Sequence, residues 1–383
     1  MQLFDVYPLM NVTPERAKGV YIWDQEGRRY LDLYGGHAVI SIGHSHPHFV
    51  ARINEQLEKM AFYSNAVKIP IQNALAEKLG QVSGLPDYQL FLCNSGAEAN
   101  ENALKLASFA TGKPGVIAFK GAFHGRTSGA VAITDNPKII APFNTGHQVY
   151  FGEFEDLEGV EKILKTKAIA AIIIEPIQGV NGIQVASPEF LTGLAVLARQ
   201  HGAKFILDEV QAGYGRTGRF FAHQWTDGLE PDLITTAKGM GNGFPIGGVL
   251  IRPDIQAHYG MLGTTFGGNQ LACAAGLAVL EIIESEKLME NAALQGAFLM
   301  EALNHTIPEI TQVRGKGLMI GLDLKHDAAG YRTELINKHR IFTGSAAGKH
   351  TIRLLPPLGI QQKDLQSFIN SLEITINQRE TIQ

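Results

Sequence analysis

The sequence predicts an α/β fold with a mostly parallel sheet, joined to a smaller α+β domain, and three observations support this prediction. Short apolar runs of strand length recur along the chain. Segments with helical spacing, such as 189–201, separate them, and this alternation is typical of parallel sheets with crossover helices. After about residue 285, long helical stretches and short strands replace the alternation. The apolar runs are 116–119, 168–174, 205–207 and 233–236.

The same patterns predict how the chain divides into domains. Residues 20–24 and 29–33 are strand-like pieces on either side of a turn, and we expect them to pack with the C-terminal domain. The predicted division is an N-terminal segment (1–50), a large domain (51–284) and a C-terminal small domain (285–383).

Composition and charge are typical of a globular enzyme. The chain has 383 residues, of which 45 % are hydrophobic and 18 % charged. A net charge of −4 without a long basic run argues against nucleic acid or an anionic membrane as the main partner. Two cysteines, Cys93 and Cys273, do not make a disulfide framework. The N-terminus lacks a signal-peptide pattern, and the apolar run 271–283 predicts a buried helix too short to span a bilayer, so we expect a cytoplasmic protein.

Lys238 and Asp208 are the first candidates for chemistry. A lone lysine is usually a solvated surface charge, but Lys238 lies among small residues, where its amine can approach a carbonyl and form an imine. Asp208 ends an apolar run and can hold a ring nitrogen protonated, and together the two residues suggest pyridoxal phosphate. The nearby glycines do not give the full dinucleotide fingerprint. Glu175, Asp208 and Lys238 each follow a predicted strand, at the sheet edge where ligands bind.

Three glycine-containing motifs add binding groups. In 93–107 a strand runs through Ser-Gly into a helix, whose free amides suit an anion, although a simple N-cap explains the motif equally well. In 120–127, Phe123 can stack on a planar ring or belong to the core. Arg126 can hold a carboxylate or a surface ion pair. In 263–269, two hydroxyls among glycines suit a phosphate or a turn without ligand.

A histidine cluster at 44–48 raises the question of a metal site. The alternating histidines have no carboxylate or cysteine close to them in the sequence, as a metal site would require. We therefore predict a turn with hydrogen-bonded imidazoles and no metal.

Taken in order, these motifs resemble the class III aminotransferases, which are pyridoxal-phosphate (PLP) enzymes of fold type I, and within them the acetylornithine/succinylornithine group. The resemblance extends over nearly the whole chain, from 21–24 to 353–358. It implies that Lys238 binds PLP as a Schiff base and carries the proton, and that Asp208 pairs with the pyridine nitrogen. It also implies a homodimer with shared active sites.

The resemblance assigns the remaining site residues as well. The cofactor-binding residues that it implies are Gly96 and Ala97 at the phosphate, Phe123 on the ring face, Gln211 at the phenolic oxygen, Thr265 at the neighbouring subunit's phosphate, and Glu175, Glu209 and Val210. The implied substrate-binding residues are Thr264, Arg126 for the α-carboxylate of an acylated ornithine, and Arg353 for that of the oxo acid.

The implied reaction moves the terminal amine of N-acetyl- or N-succinylornithine to 2-oxoglutarate, in arginine biosynthesis. The products are the acylated glutamate semialdehyde and glutamate. The alternatives are a transaminase for ornithine, 4-aminobutyrate or another ω-amine, an aminomutase, a PLP-binding protein without catalysis, and a nicotinamide enzyme.

One position departs from the family pattern. Val180 follows 175–179 where related enzymes carry a second glutamate, which pairs with the arginine at the position of Arg353. Without that acid, Arg353 should be more available to anions. We therefore expect the pocket to accept a second carboxylate, as in N-succinylornithine. Tyr34, His37 and Asn181 are candidates for lining the acyl pocket.

Overall fold

A computed structural model describes residues 1–304 and 307–380 of the chain. The strands are β1 (Pro14–Lys18), β2 (Tyr21–Asp24), β3 (Arg29–Asp32), β4 (Gln89–Cys93), β5 (Gly115–Phe119), β6 (Val149–Gly152), β7 (Ile169–Ile174), β8 (Ile177–Gln178), β9 (Gln184–Val185), β10 (Lys204–Asp208), β11 (Leu233–Thr236), β12 (Gly247–Ile251), β13 (Ile310–Lys316), β14 (Met319–Leu324), β15 (Ile341–Phe342), β16 (Gly344–Ser345) and β17 (Thr351–Leu354). The helices are α1 (Gly35–Ala38), α2 (Pro47–Lys59), α3 (Pro70–Ser83), α4 (Gly96–Thr111), α5 (Ser128–Ala132), α6 (Leu157–Thr166), α7 (Pro188–Gln200), α8 (Gln270–Ser285), α9 (Leu288–Asn304), α10 (Ala328–His339) and α11 (Gln362–Glu380).

The central sheet confirms the predicted α/β fold class. Its seven strands have the order β4-β12-β11-β10-β7-β5-β6. The pairs β11–β10, β10–β7, β7–β5 and β5–β6 are parallel, whereas β12 is antiparallel to both of its neighbours. Strand β4 therefore points the same way as the parallel strands, because it is antiparallel to β12. The carboxyl ends of six strands meet at one edge of the sheet.

Helices bury both faces of this sheet. Strand β7 is built from isoleucine and alanine and is buried along its whole length, as expected for a parallel strand covered on both sides. One face packs against the alanine-rich side of α4, which includes Ala99, Ala103 and Ala107. The other face packs against α6 and α7, through residues such as Val160 and Phe190. The small side chains of α4 allow that helix to lie close to the sheet, with its first turn beside the carboxyl ends of the strands.

The two ends of the chain meet in small sheets. Strands β1, β2 and β3 form an antiparallel ladder, and β15 from the C-terminal part adds to it in parallel to β3. The C-terminal part forms a second sheet, β13-β14-β17-β16. Strand β3 of the N-terminal segment therefore pairs with β15 of the C-terminal part, and the predicted domain division, with limits at 50 and 284, stays a prediction.

The apolar segment 271–283 lies in the long helix α8, as predicted. Twelve residues of α8 are buried, and they lie on all sides of the helix. Over 1–304 and 307–380, no helix combines the length and hydropathy needed to cross a membrane.

Arg216 is fully buried and forms hydrogen bonds with two other parts of the chain. Its guanidinium donates to the carbonyl oxygens of Leu318 and Pro356 from the C-terminal part, and to that of Ile40 from the N-terminal segment. Burial lowers the pKa of Arg216 to about 10. The arginine nevertheless stays charged at neutral pH, and its hydrogen bonds to three loops fix their relative positions.

We expect Arg216→Met to destabilise the protein strongly, because it leaves three carbonyls without their charged donor. Each hydrogen bond to a charged group contributes about 1.5–3 kcal/mol, so the loss should be at least about 3 kcal/mol in urea unfolding. Arg219→Met is the matched control, because the exposed Arg219 lies over the ring of Trp225. Equal stabilities of the two variants would contradict the role assigned to Arg216.

Candidate active site

A cavity of about 270 Å³ lies at the edge of the sheet where the parallel strands end. Most of the wall residues come just after a strand, so the fold itself gathers side chains that are distant in sequence. The walls include Gly96 and Ala97 after β4, Phe123 after β5, Glu175 after β7, Asp208 at the end of β10, Val210 and Gln211 beyond it, and Lys238 after β11.

The carboxylate of Asp208 is held by hydrogen bonds from three sides. Oδ2 accepts from His124 Nδ1 at 2.7 Å and from Asn100 Nδ2 at 2.8 Å, and Oδ1 accepts from the amide of Val210 at 3.0 Å. The Asn100 amide is itself oriented, because its Oδ1 accepts from the hydroxyl of Thr235 at 2.7 Å. The carboxylate therefore has one orientation, fixed by α4, the loop after β5 and its own strand.

Asp208 favours the charged form of His124. Burial disfavours the imidazolium, but the hydrogen bond to Asp208 and the charges of Asp208 and Glu175 outweigh it, so the pKa of His124 is raised. Neither Asn100 nor His124 was singled out from the sequence, although both lie inside motifs that were. The available signal was a polar residue on the alanine-rich face of α4, and a histidine between the glycines of 121 and 125.

Lys238 begins a 3-10 turn directly after β11 and Ala237. Its φ of 45° lies in the left-handed region, which is unusual for a residue with a side chain and typical of functional sites. No acceptor among the described residues bonds its Nζ. Burial lowers the pKa of Lys238, Arg353 lowers it further, and the charges of Asp208 and Glu175 oppose the change. The amine is therefore neutral more readily than a surface lysine and is suited to nucleophilic or base chemistry.

Glu175 joins two loops that form the cavity wall. Oε1 accepts from the amide of Phe123 at 3.0 Å, and Oε2 accepts from that of Gly179 at 3.2 Å. Burial raises the pKa of Glu175 to about 7, the charge of His124 opposes the rise, and that of Asp208 adds to it. The carboxyl group is consequently divided between its neutral and charged forms at neutral pH.

The first turn of α4 offers an anion site. Ser95 caps the helix by accepting from the amide of Glu98 at 3.2 Å, whereas no acceptor among the described residues bonds the amides of Gly96 and Ala97. A Cβ atom at Gly96 would lie 2.6 Å from Val210 Cγ1, so only glycine fits there. Free amides at the start of a 16-residue helix favour a phosphate group.

These groups match the chemical features of pyridoxal phosphate. The start of α4 suits its phosphate, the amine of Lys238 suits its aldehyde, and Asp208 suits its ring nitrogen. Gln211 adds a buried Oε1 atom without a partner, while its Nε2 donates to the carbonyl of His37 at 3.1 Å. The donor set of the cavity therefore fits this cofactor.

Other predicted site residues lie outside the cavity wall. The carboxylate of Glu209 accepts from the amides of Ala222 and His223 and from the His223 ring, at 2.8–2.9 Å, so this side chain stabilises a 3-10 turn instead. Thr264 accepts from the amide of Gly267 at 3.0 Å and lines a second cavity. Thr265 and Arg126 are exposed.

The three histidines of 44–48 each pair with a different carboxylate. His44 contacts Asp32 at 2.8 Å, His46 contacts Glu286 at 2.8 Å, and His48 contacts Glu281 at 2.5 Å. The predicted hydrogen bonds of the imidazoles are present, and two of their carboxylate partners come from a helical region about 240 residues away in the sequence. The last two pairs help to pack α2 against α8.

Comparisons with known proteins agree with this geometry. The family model for class III aminotransferases matches residues 5–376. The chain is 41 % identical to the acetylornithine aminotransferase of Archaeoglobus fulgidus over 98 % of this chain and 97 % of the relative. It is 39 % identical to that of Bacillus subtilis, with the same coverage.

Solved structures agree as well. The ornithine aminotransferase of Toxoplasma gondii has a TM-score of 0.91 at 27 % identity and covers 98 % of this chain and 93 % of its own. The acetylornithine aminotransferase of Elizabethkingia anophelis has a TM-score of 0.84 at 30 % identity, covering 97 % and 95 %. The chain belongs to the class III aminotransferases, and it is a PLP-dependent aminotransferase of fold type I.

Glu175→Gln tests the charge state of the buried carboxyl group in the cofactor-free protein. The folded protein keeps this proton up to about pH 7, whereas the unfolded chain loses it near pH 4.5. The unfolded state binds fewer protons between these values, so this group reduces stability as the pH rises. Glutamine imitates the neutral acid. We expect similar stabilities at pH 4.5, and a variant more stable by up to about 3 kcal/mol at pH 8. The prediction is contradicted if the free energy of unfolding, measured with urea, changes with pH in the same way for Glu175→Gln and for the unmodified protein.

Proposed function

We propose that this aminotransferase moves the terminal amine of an N-acylated ornithine to 2-oxoglutarate, as a step of arginine biosynthesis. The products are the acylated glutamate semialdehyde and glutamate. The observation that carries the proposal is the single cavity that holds the unpaired Lys238 amine, the Asp208 carboxylate and the open start of α4. The names of the acetylornithine aminotransferases that are 36–41 % identical support N-acetylornithine as the donor.

Lys238 is the proposed catalytic residue. When bound, PLP supplies an electron sink for the carbon that carries the substrate's amine. The neutral amine of Lys238 takes the proton from that carbon and returns it on the other side of the transferred nitrogen. The lowered pKa of Lys238 favours this role, because only the neutral amine accepts a proton.

The other wall residues are proposed to bind and orient. Asp208 keeps the ring nitrogen protonated, and Asn100 and His124 are positioning residues that hold Asp208 in place. The amides of Gly96 and Ala97 bind the phosphate, and Phe123 packs on the ring. Gln211, Glu175 and the backbone at Val210 complete the wall. Glu209 acts through the backbone alone, since its carboxylate is occupied elsewhere.

Two arginines are proposed to bind substrate carboxylates. Arg353 is 3 % exposed, its Nη1 has no partner, and no acid of the described chain pairs with it. A carboxylate from the oxo acid would supply the missing partner. The exposed Arg126 suits the α-carboxylate of the acylated ornithine, which has to reach the cavity from outside.

N-succinylornithine is the second candidate donor. Val180 lines the cavity and brings no charge to it, so Arg353 meets no acid from that position. A donor with an additional carboxylate is therefore not repelled on this side. Tyr34, His37 and Asn181 lie next to the same wall and remain the candidates for contact with the acyl group.

A homodimer with shared active sites and a cytoplasmic location complete the proposal. Exposed apolar residues on the N-terminal segment and around 62–67 and 266 support the dimer, because such patches mark protein interfaces. Thr265, with Thr264 beside it, is exposed and available to a neighbouring subunit. The two cysteines are buried free thiols, as is usual in a reducing compartment.

A substrate panel with 2-oxoglutarate tests the proposed reaction through glutamate formation. We expect N-acetylornithine to exceed ornithine and 4-aminobutyrate in catalytic efficiency (kcat/KM) by at least about tenfold, which corresponds to about 1.4 kcal/mol of transition-state binding. Equal rates for the free and acylated amines would overturn the proposed donor class. The same panel tests whether N-succinylornithine is the preferred donor. That hypothesis is contradicted if N-acetylornithine is turned over equally well or better.

Asp208→Asn tests the proposed role of the carboxylate. Asparagine keeps the size of the side chain but not its charge. The ring nitrogen of PLP would then lose its proton, and the cofactor would be a weaker electron sink. We expect kcat to fall by at least about 100-fold, with the cofactor still bound. Asp254→Asn is the control, because Asp254 is an exposed residue paired with Arg252. A decrease below tenfold would argue against the assignment.

A further inference from the structure

A second arginine without a carboxylate partner lies beside Arg353. This residue is Arg332 on α10, and neither it nor Arg353 forms an ion pair within the described part of the chain. Arg332 Nε and Arg353 Nη1 are both buried without a hydrogen-bond partner. Burial lowers the pKa of Arg353, and the nearby charge of Arg332 lowers it further. Two adjacent guanidinium groups with unused donors are an unfavourable arrangement unless an anion joins them.

One short segment connects both arginines to the cavity wall. Arg332 Nη2 donates to the carbonyl of Thr343 at 3.1 Å, and Arg353 Nε donates to that of Ser345. Two residues further on, the amide of Ala347 donates to the carbonyl of Val180 at 2.9 Å. Val180 in turn lines the cavity that contains Lys238. The two guanidinium groups therefore belong to the side of the cavity that Val180 forms.

The neighbouring groups do not neutralise this pair. Tyr34 packs against the same segment, since a Cβ at Gly344 would lie 2.9 Å from its ring and 3.2 Å from Arg353 Cβ. Burial raises the pKa of Tyr34 although both arginines oppose this, so its hydroxyl stays uncharged and contacts the His37 ring. Asp32 is engaged by His44 and by two backbone amides. Glu175, with its pKa of about 7, is occupied by the amides of two loops.

We propose that Arg332 is a second carboxylate-binding residue, which acts with Arg353 to hold a carboxylate of the dicarboxylic oxo acid. The inference rests on the proposed function and adds a residue to it. A carboxylate has two oxygens and can accept from two guanidinium groups at once. Because Val180 supplies no acid, the substrate carboxylate is the group that balances both charges. The same pair would hold the carboxylate of glutamate, the product amino acid.

Arg332→Met tests this assignment, because methionine keeps much of the stem and removes the charge. We expect the dissociation constant of glutarate, an unreactive dicarboxylate, to rise about 10- to 100-fold in calorimetric titration of the holoenzyme. The Michaelis constant for the oxo acid should rise by a similar factor, which is larger than any change in the rate of the half-reaction with N-acetylornithine. Arg332→Lys should recover at least part of the glutarate affinity.

Lys338→Met is the matched control, since it removes a positive charge from an exposed position of the same helix. If Arg332→Met and Lys338→Met bind glutarate within twofold of each other, the inference is overturned. Val180→Glu gives an independent measurement that leaves Arg332 intact. We expect the new acid to weaken glutarate binding by at least tenfold. An unchanged glutarate affinity would contradict the proposal that Arg332 and Arg353 lack an acidic partner in the free enzyme.

The two proposals fail in different ways. If no acylated ornithine is transaminated but glutarate binding responds to Arg332→Met, the proposed donor is wrong and the arginine pair stands. If an acylated ornithine is transaminated but Arg332→Met leaves the glutarate affinity unchanged, the proposal about Arg332 is wrong and the proposed reaction stands.

Discussion

The placement of one buried carboxylate, that of Asp208, determines most of the site. A buried charge is costly unless it is hydrogen-bonded, and Asp208 receives its bonds from His124, Asn100 and the amide of Val210. These donors come from α4, from the loop after β5 and from the end of β10. Satisfying this one charge therefore fixes α4 relative to the sheet, and with it the free amides at the start of that helix.

The charges of the cavity set each other's protonation. Lys238 is half-buried near Asp208 and Glu175, which favour its charged form, and near Arg353, which disfavours it. Burial raises the pKa of Glu175 to about 7, and the charge of Asp208 adds to this rise. The pKa of His124 is raised, because the hydrogen bond and charge of Asp208 outweigh the effect of burial. At His124 the hydrogen bond to Asp208 opposes the effect of burial, whereas Lys238 has no such bond among the described residues, and the neutral form of Lys238 is the one that the proposed reaction requires.

Much of this arrangement could be predicted from the sequence, for a reason that lies in the fold. The strands β10 and β11 end at Asp208 and Thr236, near the predicted limits, and parallel strands bring their ends together whatever their separation in the chain. The partners of Asp208 could not be predicted, because a side-chain hydrogen bond such as that of Asn100 spans 108 residues. The same limit applies to the histidines of 44–48 and to Glu209, whose contacts depend on packing between distant helices and turns.

Val180 connects the proposed donor with the pair of arginines. The resemblance to the family implies that an acid at this position would neutralise Arg353 while the terminal amine reacts, and would so discourage the α-amine of free ornithine from entering. An acylated donor has no free α-amine, so that protection is unnecessary for it. An enzyme for such a donor can therefore have an apolar residue at position 180. Arg353 and Arg332 then stay unpaired until a substrate carboxylate arrives, which favours binding of the oxo acid without affecting which end of the donor reacts.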